Sequence, residues 1–316
     1  MAALGVAHPT GYPLYTLLGH LFTRLVPLGD MAYRVNLFSA VVGAAMIAVL
    51  YRLLCALKVA PLIALLDVLA FAVTNDVWTY ATIAQTYALN LLLIALALWI
   101  FVRYQQQGDG RSLVALAFVM GLGCAHHSTF WLVVPALALG IVGYWPMDMR
   151  QRRFLNANIR FLPFAVIAFA VPLSLYLYIP LRGEQLRALV TGDVLGYPRF
   201  VTDGWVTPHY LAGWMNVVVG SFYASSTLEG AQVNWVIPIT DYVWQLLQQF
   251  NILVALVLLC LVPVFRRNAS FTAILIVAWL TNVFIVIRGV TAFNEPAGGL
   301  FTPTYLFCAI LIALSA

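Results

Sequence analysis

A nearly unbroken apolar stretch, Val35–Leu57, decides the fold of this chain: it reads VNLFSAVVGAAMIAVLYRLLCAL and contains one charged residue, Arg52. A helix of about 20 apolar residues is long enough to cross the hydrocarbon core of a bilayer. The rest of the 316-residue chain has the same character, since 63% of its residues are hydrophobic and only 9% are charged. The chain is therefore predicted to be an all-α polytopic membrane protein.

Further apolar runs follow at short intervals. Together they predict about nine spanning helices, about six of them within residues 35–179 and about three within residues 247–316. The predicted runs are 35–57, 60–75, 82–102, 112–126, 129–145, 161–179, 247–265, 271–288 and 303–316. We interpret residues 1–316 as a single membrane domain, in which residues 1–34 precede the first span and residues 180–246 form one long insertion.

Basic residues mark alternate connections between these runs. Arg52, Arg103 and the Arg150–Arg160 region, with Arg266, fall on one side under alternating topology. The positive-inside rule makes that side cytoplasmic. The net charge of +5 is thus a topology signal and gives no support for binding nucleic acid. The other side, which receives residues 1–34 and 180–246, is predicted to be extracytoplasmic.

A turn-rich motif, Leu4–Tyr15, reads LGVAHPTGYPLY and holds two prolines and two glycines. This composition disfavours regular helix and favours tight turns. From Leu14 to Leu25, apolar residues then recur at helical spacing, which predicts a short amphipathic helix in the membrane interface. Within the motif, His8 is either a solvated or turn-capping histidine, the commoner case, or a site residue.

Two further polar groups interrupt apolar runs on the predicted outer side. Residues 75–90 carry Trp78, Gln85 and Asn90 into the start of a span, either to line a cavity or to hydrogen-bond between helices. His126 and His127 are adjacent, and neighbouring positions on a helix point in different directions. We therefore expect at most one of these histidines to face a site, unless the helix breaks there.

The Leu4–Tyr15 motif, followed by Arg34-Val-Asn-Leu-Phe-Ser39, strongly resembles the opening of a membrane family catalogued as a domain of unknown function. That family includes the plexin-type protein O-mannosyltransferases and is similar to glycosyltransferases of the GT-C type. Weaker matches follow in order along the chain: Gln85–Asn90, Gly121 with His126 or His127, Tyr176–Arg182, and Glu295 with Pro303 and Tyr305.

The resemblance implies a GT-C-like helical bundle with an outer interfacial helix and a long extracytoplasmic loop. It also implies transfer of a mannose-like sugar from a polyprenyl-phosphate donor to a protein or glycan acceptor, with a divalent metal as a possible cofactor. The residues that it assigns to substrate binding are His8, Tyr12, Tyr15, Arg34, Gln85, His126, His127 and Arg182. None of these residues is expected to be a metal ligand.

The chain departs from the family pattern in two ways. The family carries an acidic stretch just before the Leu-Gly-Val-Ala-His-Pro motif, so the catalytic acid is expected upstream of Met1. The family's usual Glu is Gln85 here, which forms hydrogen bonds but cannot act as a base. The chain is accordingly expected to be truncated at both ends, because no signal peptide or span precedes residues 1–34 and the last run stops inside an apolar stretch.

Two alternatives to an active transferase stay open at this stage. One is a transporter or lipid-handling protein, for which Asp67 is an acid within an apolar run. The other is an inactive fragment of the transferase. Few glycosylation sequons and no paired lumenal cysteines favour a bacterial inner membrane over an endoplasmic reticulum, with the site facing the extracytoplasmic side.

Overall fold

A computed structural model describes Leu4 and residues 12–142, 149–179, 181–182, 236–251, 253–293 and 298–316. Throughout these residues the secondary structure consists of helices and short 3-10 turns, which confirms the all-α prediction. The helices are α1 Pro13–Leu25, α2 Met31–Ala56, α3 Pro61–Ala72, α4 Asn75–Thr82, α5 Tyr87–Gln107, α6 Gly110–Cys124, α7 Ser128–Trp131, α8 Val134–Val142, α9 Met149–Ala157, α10 Leu162–Leu173, α11 Val236–Phe250, α12 Leu253–Arg267, α13 Ala269–Phe293 and α14 Thr302–Ser315.

Several helices of the described part fit a membrane span by length and composition. Four of them are long and apolar enough: Met31–Ala56, Tyr87–Gln107, Ile159–Leu177 and Ala269–Ile287. The bent pair α3 and α4, whose axes differ by 68°, is a fifth candidate, and shorter apolar helices lie at Gly110–Cys124, Ser128–Val142 and Gly299–Ser315. The multi-pass prediction is confirmed, whereas the count of about nine spans stays a prediction.

Three predicted runs differ from the helices observed. The run predicted at 82–102 begins later, because α4 ends at Thr82 and α5 starts at Tyr87. Trp78 therefore lies in α4, whereas Gln85 lies in the connection between α4 and α5, so the two do not share a helical face. The run at 129–145 is divided between α7 and α8, and the run at 247–265 is divided at Asn251, whose φ is +53°.

The bundle has two ends that the connections define. We call the end formed by the N-terminus of α1, residues 83–86 and the 125–127 turn the histidine end. The opposite end, with the C-termini of α2 and α5, is the arginine end. There Gln106 Nε2 donates to the Ala56 carbonyl at 2.7 Å, and Asn158 Nδ2 donates to the Gly108 carbonyl at 2.6 Å. Arg52, Arg103 and Arg111 lie at this end, as the charge pattern predicted, while its assignment to the cytoplasm stays a prediction.

The predicted amphipathic helix exists as α1, but its orientation is not the one that its composition suggests. Thr16 and Thr23 are buried in the protein, whereas Leu21 and Leu25 are 54% and 70% exposed. The exposed leucines suit an apolar environment. The threonines tolerate burial because a hydroxyl can bond within its own helix, as Thr23 Oγ1 does with the His20 carbonyl at 2.9 Å.

Helices α6 and α10 cross closely next to the histidine end. A Cβ placed on Gly121 of α6 would lie 2.2 Å from the carbonyl oxygen of Phe169 in α10. Only glycine fits there, because the neighbour is backbone and cannot rotate away. The end of α6 is fixed further by its Cys124 carbonyl, which accepts from Tyr176 Oη at 2.9 Å and from Trp131 Nε1 at 3.1 Å.

Candidate functional site

The two adjacent histidines lie in a break between helices. Helix α6 ends at Cys124 and α7 begins at Ser128, so His126 and His127 occupy the turn between them. Their side chains are 0% and 1% exposed. The sequence left open the case of a broken helix, and this is the case observed: both rings lie against Tyr12, with centroids 6.4 Å and 5.4 Å away.

Hydrogen bonds determine the tautomer of His126. Its Nε2 lies 3.0 Å from the Thr86 carbonyl oxygen, which can only accept, so Nε2 carries the hydrogen. In the neutral ring the other nitrogen, Nδ1, is then an acceptor. This atom is buried and has no hydrogen-bond partner among the described residues. A buried polar atom without a partner is uncommon and indicates a place for a ligand or an ordered water.

A chain of hydrogen bonds orients His127. Asn90 Nδ2 donates to Thr129 Oγ1 at 2.8 Å, and that hydroxyl lies 2.9 Å from His127 Nδ1. The backbone N–H of Thr129 also donates to Nδ1, at 3.2 Å, as an N-cap of α7. Because Nδ1 accepts these bonds, the neutral ring carries its hydrogen on Nε2. Thr129 was missed by the sequence reasoning, although a Ser-Thr pair directly after a helix break is an N-terminal signal.

Aromatic rings continue the cluster in both directions. Tyr15 lies 6.1 Å from His126 between ring centroids, and its hydroxyl is 3.2 Å from Ser39 Oγ. Tyr87 lies 5.6 Å from His127 and 4.6 Å from Tyr80. Gly299 allows this arrangement, because a Cβ there would meet the Tyr87 ring at 2.4 Å. We call the set Tyr12, Tyr15, Thr86, Tyr87, Asn90, His126, His127 and Thr129 the histidine cluster.

Tyr12 has a strained backbone. Its φ is +43°, in the left-handed region that bulky residues rarely adopt, and it directly precedes Pro13 and α1. Its side chain is only 9% exposed. Strain of this kind persists where the surrounding structure imposes it, and it is concentrated at functional sites. Here it places the Tyr12 ring against both imidazoles.

Hydrogen bonds join the start of the N-terminal motif to the Tyr176–Arg182 segment. Leu4, which also has a positive φ of +51°, presents its carbonyl oxygen to Tyr178 Oη at 2.5 Å and to Arg182 Nε at 2.9 Å. Burial raises the pKa of Tyr178 more than the nearby Arg182 lowers it, so this phenol stays a neutral donor. Two sequence segments 174 residues apart are thereby joined.

The remaining predicted binding residues are placed differently. Arg34 donates to three backbone carbonyls, those of Leu28 at 3.2 Å, Thr23 at 3.3 Å and Gly29 at 3.0 Å, so it fixes the turn between α1 and α2. Gln85 is exposed on residues 83–86, next to Thr86. His8 lies outside the described residues. The substrate-binding roles of all eight residues stay predictions.

Carboxylates are sparse around the cluster. Within the described ranges, no group of three or more His, Cys, Asp or Glu side chains could hold a metal ion. The Asp76 carboxylate, at the start of α4, accepts from Asn75 Nδ2 at 3.0 Å, and the Asp76 backbone N–H donates to Gln249 Oε1 at 3.1 Å. The described histidine cluster is therefore a neutral site of imidazole, phenol, hydroxyl and amide groups.

Comparisons with known proteins match this end of the chain. Residues 1–145 resemble the N-terminal domain of the protein O-mannosyl-transferase TMEM260. The matched range contains the whole histidine cluster, from Tyr12 to Thr129. It confirms the resemblance drawn from the Leu4–Tyr15 motif.

Two curated relatives carry the same name. The chain is 31% identical over 204 residues to the protein O-mannosyl-transferase TMEM260 of Mus musculus, a match that covers 63% of this chain and 28% of the relative. It is 23% identical over 265 residues to the tmem260 protein of Dictyostelium discoideum, covering 78% of this chain and 30% of the relative. The chain thus spans less than a third of the length of either relative.

Proposed function

We propose that this chain belongs to a membrane glycosyltransferase that transfers a mannose-like sugar from a polyprenyl-phosphate donor to a protein or glycan acceptor. The carrying observation is the buried histidine cluster, which unites the N-terminal motif with the Gln85–Asn90 and Gly121–His127 segments. The relatives' name, protein O-mannosyl-transferase, supports the reaction class. We further propose a GT-C-like bundle in a bacterial inner membrane, with the histidine end on the extracytoplasmic side.

The reaction is a substitution at the anomeric carbon. The acceptor hydroxyl oxygen forms a bond to that carbon with inversion, while the bond to the lipid phosphate oxygen breaks and the phosphate leaves with the electron pair. The hydroxyl proton passes to a base, and polar groups stabilise the charge that develops on the phosphate. A carboxylate is proposed as this base, and no described carboxylate belongs to the histidine cluster. Among the described residues, no group of three or more ligating side chains would hold a divalent metal at the phosphate.

The described residues contribute positioning. His126 Nδ1 accepts a hydrogen bond from a sugar or acceptor hydroxyl, because it is an acceptor with no protein donor among the described residues. Tyr12 and Tyr87 both lie against His127, with ring centroids 5.4 Å and 5.6 Å from its ring. Aromatic rings suit the apolar face of a sugar ring. His8 and Arg182 are proposed to contact the donor phosphate.

Sugar transfer tests this assignment. Membranes carrying the full-length protein are supplied with radiolabelled polyprenyl-phosphate mannose and an acceptor peptide. His126→Gln is the informative variant, because the Gln amide keeps a donor for the Thr86 carbonyl and removes the Nδ1 acceptor. We expect a loss of about tenfold in transfer, the value of one hydrogen bond of about 1–1.5 kcal/mol.

His20→Gln is the matched control, since it removes an imidazole from α1 that is not part of the histidine cluster. Its transfer should equal that of the unsubstituted chain. His8→Ala, which removes the imidazole proposed to contact the donor phosphate, should also lower transfer. Full transfer by this variant, or by His126→Gln, would refute the assigned roles. No transfer by the full-length protein would instead favour the transporter or lipid-handling alternative.

A further inference from the structure

Two arginines contact one tryptophan at the arginine end. The guanidinium carbon of Arg52, in α2, lies 6.0 Å from the Trp99 ring centroid, and that of Arg103, in α5, lies 5.5 Å from it. Both distances are within the range of a cation–π contact. Two like charges thus share one neutral indole, and we call Arg52, Trp99 and Arg103 the arginine–indole site.

No carboxylate forms an ion pair with Arg52 or Arg103 in the described part of the chain. Both arginine side chains are exposed, and neither has a hydrogen bond or ion pair there. The Asp109 carboxylate lies close enough to Arg103 that the arginine charge helps to lower the pKa of Asp109. Its oxygens are nevertheless engaged, since they accept from the Ser112 N–H at 2.9 Å and from Ser112 Oγ at 2.6 Å.

Arg52 and Arg103 lie at the end of an outward-facing apolar surface on α2 and α5. On α2, Val41, Ala44 and Ala48 are exposed at helical spacing, and Arg52 comes next on that face. On α5, half-buried Leu92 and Leu96 lead in the same way to Trp99 and Arg103. An apolar exposed stripe on a spanning helix faces acyl chains, so the residues at its end meet the headgroups.

The positions of Arg52 and Arg103 along their helices agree with a location at the level of the lipid headgroups. Arg52 and Arg103 each lie four residues before the end of their helix, about 6 Å along the axis. Tryptophan is typical of the membrane–water interface, and arginine extends its guanidinium to that level. An acyl-chain surface that leads to two guanidinium groups is complementary to a molecule with apolar tails and an anionic head.

We propose that the arginine–indole site binds the phosphate headgroup of an anionic phospholipid, which bridges Arg52 and Arg103 beside Trp99. Arginine forms strong, paired hydrogen bonds with phosphate oxygens. The lipid tails lie along the apolar stripes of α2 and α5. This site is separate from the histidine cluster, and its occupation does not depend on the proposed transferase activity.

Lipid binding by the purified full chain in detergent tests this proposal. Phosphatidylglycerol is titrated and its affinity is measured by native mass spectrometry, with phosphatidylcholine and inorganic phosphate as comparison ligands. We expect saturable binding of phosphatidylglycerol, and about thirtyfold weaker binding to the double variant Arg52→Gln/Arg103→Gln. Arg111→Gln is the matched control, because Arg111 is exposed at the same end without a tryptophan contact, and its affinity should not change.

Three results would overturn the proposal. They are equal phosphatidylglycerol binding by the double variant and the unsubstituted chain, equal binding of phosphatidylcholine, and equally strong competition by inorganic phosphate, which would mean that a soluble anion suffices. Thermal unfolding of each variant without lipid checks the fold. If the double variant unfolds early, the single variants Arg52→Gln and Arg103→Gln replace it, each with about fivefold weaker binding expected.

Discussion

The two ends of α5 handle polar groups in opposite ways. At the histidine end, Asn90 is fully buried and donates to a protein hydroxyl that in turn orients a histidine. At the arginine end, Arg103 is exposed, and among the described residues it forms no hydrogen bond or ion pair; its guanidinium lies 5.5 Å from the Trp99 ring centroid. The histidine end is thus organised by the protein itself. The arginine end presents charge that no described residue pairs.

The two ends therefore differ in how much their polar groups contribute to the stability of the fold. A buried hydrogen-bond network is stable only while every member is present, since a lost partner leaves a buried polar group unpaired. Exposed charges contribute little to folding and are available to an external anion. Substitutions at the histidine end should therefore change stability strongly, and those at the arginine end should change ligand binding instead.

The largest expected effect comes from the crossing that supports the histidine end. In Gly121→Ala the new methyl group meets the Phe169 carbonyl oxygen at 2.2 Å, and the two helices must separate. We expect a loss of about 3 kcal/mol in the free energy of unfolding. Gly43→Ala is the control, because the nearest atom there, the Ala81 Cβ, lies 2.9 Å away and a shift of a few tenths of an ångström relieves the contact. Equal losses in thermal or denaturant unfolding would show that the α6–α10 crossing is not rigid.

The next effect comes from the Thr129 hydroxyl. Thr129→Val preserves the shape of the side chain but removes the hydroxyl that joins Asn90 to His127. We expect a loss of about 2 kcal/mol in the free energy of unfolding, because buried polar atoms lose a partner. Thr129→Ser keeps the hydroxyl and should lose less than half as much. A Val variant as stable as the Ser variant would contradict the hydrogen-bond chain.

A smaller effect is expected from Asp109, the N-cap of α6 at the arginine end. Burial by itself would raise the pKa of Asp109, but hydrogen bonds from Ser112 and Arg111 and the charge of Arg103 outweigh it, so the pKa is lowered. A lowered pKa in the folded state gives stability that is present above the unfolded value of 3.8 and is lost as the pH falls through the folded value.

Asp109→Ala should therefore cost about 1 kcal/mol of unfolding free energy at pH 7, the usual value of an N-cap. At pH 3 the difference between the two proteins should be smaller, because the carboxyl of the unsubstituted chain is becoming protonated. Unfolding curves at both pH values measure this change. A cost that does not depend on pH would mean that the carboxylate charge contributes nothing.

The sequence predicted the helices better than their ends. Apolar runs located α2 and α13 because a lipid-facing helix must be apolar over its whole length. The break in the 125–127 turn was located to within about two residues, because two polar histidines separate the predicted runs 112–126 and 129–145. The break at residues 83–86 was missed, because the predicted run 82–102 continued through it. Short interruptions depend on which backbone groups find partners elsewhere in the fold, as the Thr86 carbonyl does with His126.

The histidine cluster was predictable in part. Tyr12, Tyr15, His126 and His127 were named from their residue types and from the family resemblance, and the structure brings these four together. The role of Arg34 in holding a turn could not be predicted, because three backbone carbonyls have no sequence signature. The arginine–indole site was also missed, since Arg52 and Trp99 are 47 residues apart and meet only when α2 and α5 pack.

The most direct test compares the two ends within one binding experiment. Polyprenyl-phosphate mannose carries an anionic phosphate, a sugar whose hydroxyls can donate to His126 Nδ1, and an apolar tail, so either end could bind it. Its affinity for the detergent-purified full chain is measured for His126→Gln, for His127→Asn, which keeps an acceptor and N-cap at the Nδ1 position, and for Arg52→Gln/Arg103→Gln. The account predicts about tenfold weaker binding to the His126 variant and a smaller change in the arginine variant. Unchanged binding in both histidine variants, with the loss confined to the arginine variant, would contradict it.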